Sequence, residues 1–126
     1  MSAPALVTAG SVVLDCPDPK ALADFYAALL GWAPPELIYD DTWARLVNPA
    51  GGMVLEFQPA PDYQPPTWPD PTRPQMFHLD LRVLDLAAAA EHAVAVGATP
   101  LDLSDSYPAF QVYADPVGHP FCLCAC

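Results

Sequence analysis

The segment QMFHLDLRV, residues 75–83, alternates side-chain character from one residue to the next. Successive side chains of a strand point to opposite faces, so this pattern puts His78, Asp80 and Arg82 on one face. Histidine and aspartate bind metals and move protons, and arginine pairs with carboxylates and anions. The stripe predicts a metal or catalytic site, or else the polar face of a strand whose histidine is hydrogen-bonded to a neighbour such as Glu56.

Two passages of the chain have the pattern of a strand that leads into a helix. The first is SVVLDCPD followed by PKALADFYAALLG, and the second is HLDLRVLD followed by LAAAAEHAVAVG. Asp18 and Asp85 are suited to cap the N-termini of the two helices, and Gly31 and Gly97 to end them. The apolar spacing within each helix predicts one buried face, so we expect both helices to cover a sheet.

A constant offset relates the two passages and indicates an internal duplication. Three strand-like stretches follow each helix, at residues 36–40, 43–47 and 53–58 and then at residues 99–103, 110–114 and 121–125. Four pairs of residues are each 67 positions apart: Ser11 and His78, Leu14 and Leu81, Asp18 and Asp85, and Pro49 and Pro116. The sequence predicts one α+β domain, residues 1–126, with a first module at about 8–59, a connector at 60–74 and a second module at about 75–126.

The alternation also predicts which side chains line a cavity. If the apolar residues of each strand face the helices, the polar residues between them face inward. The residues predicted to line the cavity are Ser11, Asp15, Trp43, Arg45, Glu56, Gln58, Trp68, His78, Asp80, Arg82, Phe110, Cys122 and Cys124. This mixture of aromatic rings, charges and thiols suits a polar organic ligand with a flat or apolar part. Glu56 is expected either to pair with Arg45 or Arg82 or to act as a ligand or general base.

Seven prolines occur within the sixteen residues 59–74. Proline lacks an N–H donor and has a fixed φ, so this segment can join neither a helix interior nor a central strand. We expect an extended connector, anchored by Tyr63 and Trp68, that either packs on the surface or covers a ligand pocket.

The composition disfavours several classes of partner. Fifteen acidic residues against four basic ones give a formal net charge of −11, which repels phosphate backbones, so nucleic acid is not expected to bind. An acidic surface keeps a protein soluble, and it also favours cationic or neutral small ligands. The N-terminus lacks the basic start of a secretory signal, and no apolar run approaches the roughly 20 residues of a membrane span. We therefore expect a cytoplasmic protein that does not bind membranes.

Several remaining residues carry weaker expectations. The four cysteines, at positions 16, 122, 124 and 126, are expected to be free thiols in a reducing compartment. His92 falls on the second helix and His119 in a turn, and both are expected to be exposed to solvent.

Four motifs together resemble the vicinal oxygen chelate superfamily, specifically its glyoxalase-like branch and the bleomycin-resistance proteins. They are VVLDCPDPKALADFYAALLGW, NPAGGMVLEFQ, FHLDLRVLDL and DPVGHPFCLC, which span nearly the whole chain. The resemblance implies two βαβββ modules that form an incomplete barrel, with the helices outside and a concave ligand cavity inside. It also implies a homodimer, and some members of the superfamily exchange modules between chains.

The resemblance further implies a divalent metal ion, held by one residue on the first strand and one on the last strand of each module. These positions are Ser11, Glu56, His78 and Cys122, of which only His78 and Glu56 have the usual side chains of such sites. The pairing of Glu56 with Cys122 departs by one residue from the offset of 67.

Two functions are consistent with these residues. The favoured one is a protein that binds a small polar organic ligand without a complete metal site, as the bleomycin-sequestering members do. The alternative is a metal-dependent lyase, isomerase or dioxygenase that uses His78 and Glu56, with Cys122 or water completing the metal shell and Glu56 able to move a proton. Glyoxalase I activity on the glutathione adduct of methylglyoxal is not expected, because too few of its metal ligands are present.

Overall fold

The computed structural model describes residues 6–103 and 109–125, and this part of the chain contains two helices and eight strands. A strand, a helix and three strands follow one another twice. The elements are β1 Ser11–Cys16, α1 Pro19–Leu30, β2 Glu36–Ile38, β3 Trp43–Leu46, β4 Val54–Pro59, β5 Leu79–Arg82, α2 Leu86–Val96, β6 Thr99–Asp102, β7 Phe110–Ala114 and β8 Pro120–Cys124. Every predicted element is present at close to its predicted position.

Both helices begin and end at the predicted residues. Asp18 and Asp85 each accept a hydrogen bond from the backbone N–H three residues further on, at 3.2 and 3.1 Å. Gly31 ends α1 with a φ of +69°, a left-handed conformation that glycine adopts at little cost because it has no Cβ. The alanine-rich α2 completely buries one residue, Ala93, among its described side chains, whereas α1 buries five.

Each module forms its own four-stranded mixed sheet. The strand order is β1-β4-β3-β2 in the first module and β5-β8-β7-β6 in the second. The first and last strands of each module pair in parallel, which the crossover helix makes possible, and the other pairs are antiparallel. Within the described ranges no strand pairing joins the two sheets, so they form an incomplete barrel. The predicted fold class is confirmed.

The strand registers show how the two halves correspond. Val13 lies opposite Glu56 in the first module, and Asp80 lies opposite Cys122 in the second. Val13 and Asp80 are 67 residues apart, whereas Glu56 and Cys122 are 66 apart, so the second module has one residue fewer before its last strand. Glu56 and Cys122 are therefore structurally equivalent, as the resemblance implied.

The two modules share one apolar core, with α1 at its centre. The ring of Tyr26 stacks on Phe57 of its own module and meets Phe121 of the other edge to face, with centroids 5.8 and 6.3 Å apart. The Tyr26 hydroxyl donates to Oδ2 of Asp115 at 2.7 Å, and both residues are buried. Burial, followed by the negative charge of Asp115, raises the pKa of Tyr26 well above its usual value, so the hydroxyl remains a donor.

A second link between the modules joins the two helices. Nε2 of His92 on α2 lies 3.2 Å from the carbonyl oxygen of Ala28 and 3.1 Å from that of Leu29, at the C-terminal end of α1. Because a carbonyl oxygen only accepts, Nε2 carries the proton. The exposed imidazole thus satisfies carbonyls that a helix end leaves without intrahelical partners.

The cysteines differ in part from the expectation. Cys16 and Cys122 are free and buried, but Cys124 is disulfide-bonded, so the expectation of a free thiol is wrong there. Cys126 lies outside the described residues. Neither helix described in residues 6–103 and 109–125 is long and apolar enough to cross a membrane.

Candidate ligand-binding site

A cavity of about 790 Å³ lies between the two modules. Residues 11–15 of β1 form one wall, and residues 78, 79, 119 and 120 of the second module form another. The connector lines a further side of the cavity with residues 62–64, 66, 73 and 74, and residues 75–77, which precede β5, continue this wall. Pockets for small organic molecules commonly measure about 300 to 1,000 Å³, so this cavity can hold a whole ligand of that kind.

The sequence predicted an extended connector, but the connector turns back on itself. The N–H of Thr67 donates to the carbonyl oxygen of Arg73 at 2.7 Å, and the Thr67 hydroxyl donates to that of Asp70 at 2.8 Å. Nε of Arg73 donates to the carbonyl oxygen of Pro65 at 2.8 Å. The side chains between the prolines thus supply donors that proline lacks, which allows a turn where we expected a straight segment.

The connector is held against the turn that precedes β8. The ring of Tyr63 packs on that of His119 with centroids 5.0 Å apart, and Nε2 of His119 donates to the carbonyl oxygen of Asp15 at 2.7 Å. Pro65 packs so closely on Gly118 that a Cβ there would lie 2.5 Å from the proline Cβ. His119 is half-buried beneath the connector, so the expectation that it is exposed to solvent is wrong.

The hydroxyl of Tyr63 is buried and has no hydrogen-bond partner among the described residues. Burial is the main cause that raises its pKa, and the carboxylates of Asp115 and Asp15 add to the rise. The hydroxyl therefore stays protonated and is a hydrogen-bond donor beside the larger cavity.

A smaller cavity of about 200 Å³ adjoins the larger one. Gln75, His78 and Pro120 line both cavities and so form their common wall. The other lining residues of the smaller cavity are Trp68, Phe110, Val112 and Cys122. Its size is below that of a typical whole-ligand pocket, so it suits one flat or apolar part of a ligand.

The inner face of the first sheet carries two polar pairs. NH2 of Arg45 lies 3.4 Å from Oε2 of Glu56, and Nε2 of Gln58 donates to Oδ1 of Asp15 at 2.5 Å. Glu56 is buried, with 8% of its surface exposed, and Arg45 supplies the neighbouring positive charge. The sequence suggested Arg45 or Arg82 as the partner of Glu56, and in the structure the partner is Arg45.

Three potential metal-binding side chains converge on the inner face of the second sheet. One ligand atom each from His78, Asp80 and Cys122 all lie within 4.8 Å of one another. Nε2 of His78 is 3.1 Å from Oδ1 of Asp80, so the partner of this histidine is Asp80 and not Glu56. Burial raises the pKa of the Cys122 thiol to about 11, and the charge of Asp80 and a hydrogen bond to it contribute.

The predicted cavity residues fall into two groups. Six of them line one or both of these cavities: Ser11, Asp15, Trp68, His78, Phe110 and Cys122. The others line neither cavity: Trp43, Arg45, Glu56, Gln58, Asp80, Arg82 and Cys124. Asp80 still joins this site through its contact with His78.

Sequence reasoning missed most of the cavity-wall residues in the connector and just after it, among them Asp62, Arg73, Gln75 and Phe77. A strand pattern can assign faces, but it has no means to assign residues of an irregular loop. Tyr63 had been expected only as an anchor of the connector. The sequence contains one signal that Tyr63 also lines the cavity: its aromatic ring lies in a proline-rich segment that could cover a pocket.

Comparison with known proteins gives the family. A model of the glyoxalase-like domain matches residues 11–124, so the chain belongs to that family and to the vicinal oxygen chelate superfamily. A comparison with curated proteins found no match.

Solved structures show the same fold at low sequence identity. A glyoxalase/bleomycin resistance protein/dioxygenase family enzyme from Burkholderia phytofirmans PsJN is 18% identical, with a TM-score of 0.68 over 90% of this chain and 94% of that one. A glyoxalase-related enzyme from Fulvimarina pelagi is 23% identical, with a TM-score of 0.68 over 94% and 88%. A glyoxalase/dioxygenase from Nostoc punctiforme is 16% identical, with a TM-score of 0.68 over 97% of each chain. Likeness at such identities establishes the fold alone.

The side chains at the four positions implied for a divalent metal do not fit that site. Glu56 is paired with Arg45 on the first sheet, and Ser11 offers only a neutral hydroxyl. Among the described residues, the donor atoms that lie close enough to share an ion belong to His78, Asp80 and Cys122, and this group contains neither Ser11 nor Glu56.

Proposed function

We propose that this protein binds a small organic ligand, with the polar part in the larger cavity and a flat or apolar part in the smaller one. The adjoining cavities, which share His78 and Gln75, are the observation that carries the proposal. The larger one has the volume of a whole-ligand pocket and a mixed lining, and the smaller one has the aromatic side chains of Trp68 and Phe110.

The charges favour a cationic ligand. Asp15 and Asp62 line the larger cavity, whereas Arg73 is the one lysine or arginine among its lining residues. The Arg73 Nε–H is already engaged by Pro65. The formal net charge of −11 adds a long-range attraction for cations, which salt would screen.

Isothermal titration calorimetry with three indole compounds of similar shape tests this proposal. We expect tryptamine, which is cationic, to bind more tightly than neutral indole-3-acetamide, and anionic indole-3-propionate to bind most weakly. Replacing Trp68 with alanine should weaken tryptamine binding about three- to tenfold, because an aromatic pair contributes roughly 0.5 to 1.5 kcal/mol beyond its buried area.

Charge variants separate binding in the cavity from general attraction to an acidic protein. Asp15→Asn should weaken tryptamine binding, whereas Asp24→Asn should not, because Asp24 lies on the exposed side of α1 and pairs with Lys20. Equal losses in the two variants, or no heat with any of the three compounds, would count against the proposal.

The alternative is a metal-dependent enzyme in which His78 and Glu56 hold the ion and Glu56 moves a proton. No contact in the described residues favours it, because Glu56 is paired with Arg45 and His78 with Asp80. Turnover of an organic substrate that stops after Glu56→Gln would revive this alternative.

We also propose that the protein forms a homodimer. β1 and β5 lie at the edges of their sheets, so each pairs along one side only within the described residues. Met76 and Phe77, neighbours just before β5, are 84% and 88% exposed, so two large apolar side chains lie together on the surface beside this strand edge. Light scattering after gel filtration should give the mass of two chains for the wild type and of one for Phe77→Asp. Tyr39→Asp, a charge placed at an exposed tyrosine in the β2–β3 turn, should leave the mass unchanged.

A further inference from the structure

We infer that the second module carries a metal-ion site of its own, formed by His78, Asp80 and Cys122 and suited to zinc. The site lies within one module and excludes Glu56. It differs in this way from the four-residue site that the resemblance implied, which spans both modules.

The backbone brings the three side chains together. His78 directly precedes β5 and Asp80 is its second residue, so these side chains, two positions apart, project from the same face. Asp80 lies directly opposite Cys122 on the neighbouring strand β8. The parallel ladder thus fixes the Cα positions of Asp80 and Cys122, and His78 directly precedes the first residue of that ladder, so little ordering of the backbone remains for metal binding to impose.

The distances are close to those that a tetrahedral ion requires. Zinc bonds of about 2.0 to 2.1 Å to nitrogen or oxygen and about 2.3 Å to sulfur place neighbouring ligand atoms roughly 3.4 to 3.6 Å apart. Here the ligand atoms all lie within 4.8 Å of one another, and Nε2 of His78 is 3.1 Å from Oδ1 of Asp80. The remaining adjustment is about 1 Å, which side-chain rotation can supply.

The chemistry of the donors selects the class of ion. One imidazole nitrogen, one carboxylate oxygen and one thiolate sulfur form a borderline to soft set that suits zinc or cobalt and disfavours magnesium, calcium and manganese. Before an ion binds, the Cys122 thiol lies within 4.8 Å of a carboxylate oxygen of Asp80. Binding replaces the thiol proton, which passes to solvent, by a metal–sulfur bond.

The surroundings provide both entry and a free coordination position. The side chains of His78 and Asp80 are 40% and 67% exposed, so an ion can reach them, while Cys122 lies buried beneath. His78 and Cys122 also line the smaller cavity, next to Trp68. Three protein ligands leave a fourth position of a tetrahedral ion for a water or for a donor atom of a bound ligand.

Cobalt(II) is the ion to use in the test, because its spectrum reports both sulfur ligation and geometry. Titration of the full-length protein with the Cys124 disulfide intact should produce a near-ultraviolet thiolate-to-cobalt charge-transfer band and the intense visible absorption of a tetrahedral ion, with a stoichiometry of one per chain. Zinc should abolish both features by competition, and magnesium should not.

Variants identify the ligands. Cys122→Ser should remove the charge-transfer band, and Asp80→Asn should weaken cobalt binding by more than about tenfold, since even loss of an outer partner of a metal ligand commonly costs that much. Cys16→Ala and Glu56→Gln are the matched controls and should leave the spectrum and affinity unchanged. Circular dichroism establishes that each variant is folded.

Three results would overturn the inference: no charge-transfer band at saturating cobalt, a band that persists in Cys122→Ser, or a loss in Glu56→Gln as large as that in Asp80→Asn. Should a variant not fold, the ¹¹³Cd resonance of the wild-type protein decides the question, because a thiolate ligand moves it far downfield of the position for oxygen and nitrogen ligands alone. Tryptamine binding measured in a chelator is independent of these results, so the ligand proposal and the metal site can fail separately.

Discussion

Replacing Tyr26 with phenylalanine removes the hydroxyl that donates from α1 to Asp115 of the second module, at 2.7 Å. The ring, which stacks on Phe57, stays in place, so the change isolates one hydrogen bond. Both partners are buried, and solvent cannot easily replace the lost donor. A hydrogen bond to a charged group contributes about 1.5 to 3 kcal/mol, which is the loss of unfolding free energy that we expect at pH 8.

Urea denaturation measures this loss, and Tyr113→Phe is the matched control. With a slope of about 2 kcal/mol per molar urea, the Tyr26→Phe midpoint should fall by roughly 1 M. Tyr113 is also buried, but its hydroxyl donates to the neutral side chain of Gln111 at 2.8 Å. We expect its removal to cost about 0.5 to 1.5 kcal/mol, as for a neutral pair.

The pH dependence of the loss provides the decisive check. The hydrogen bond from Tyr26 favours the charged form of Asp115 and so lowers the pKa of that carboxyl, against the larger raising effect of burial. Its contribution is therefore present while Asp115 is ionised and declines as the pH falls through the folded-state pKa. The cost of Tyr26→Phe should shrink between pH 8 and pH 4. An equal cost at both pH values, or equal costs for the two tyrosines, would refute this account of the interface.

Three further predictions concern the same region. Gly118→Ala should destabilise the protein more than Gly52→Ala, because both glycines have positive φ but the new Cβ meets Pro65 only at Gly118. Gly118→Ala should also weaken tryptamine binding. Equal melting temperatures for the two variants would contradict this prediction. Burial raises the pKa of Asp115 above 3.8, so the folded state holds this proton more tightly than the unfolded state does. The stability of the wild type should therefore fall relative to that of Asp115→Asn as the pH rises from about 4 through the folded-state pKa. Urea denaturation at several pH values measures this, and parallel stability curves for the two proteins would argue against it. Burial raises the pKa of Cys16 to about 12, so iodoacetamide at pH 8 should label Cys16 in urea and not in the native protein, as peptide mass spectrometry would show.

The fold was predictable because each of its determinants is local or periodic. An aspartate ahead of each helix, a glycine after it and the period-2 strands define the βαβββ unit, and the constant offset shows that it occurs twice. The offset fails at one place, where the second module lacks one residue before β8. Carried through without correction, it would have matched Cys122 with Leu55 on the opposite face of the sheet, since a shift of one residue exchanges the two faces of a strand.

The candidate site was less predictable, for two physical reasons. The alternation of polar and apolar side chains puts Glu56 and His78 on inner faces, but it gives no distance between the two sheets and so could not exclude their contact. In the structure each has a partner within its own module, Arg45 for Glu56 and Asp80 for His78. The connector owes its shape to hydrogen bonds made by Thr67 and Arg73 between prolines, and such contacts have no periodic signature. The disulfide of Cys124 was likewise not apparent from its spacing.

The two modules differ in the side chains of their inner faces but share the same strand pairing. Ser11 and Val13 occupy in the first module the places of His78 and Asp80 in the second, while the parallel pairing of first and last strands is the same in both. Because each sheet is hydrogen-bonded within its own module, a substitution on one inner face leaves the ladder of the other intact. Reactive groups on one inner face can therefore differ between the two modules while both keep the same strand pairing.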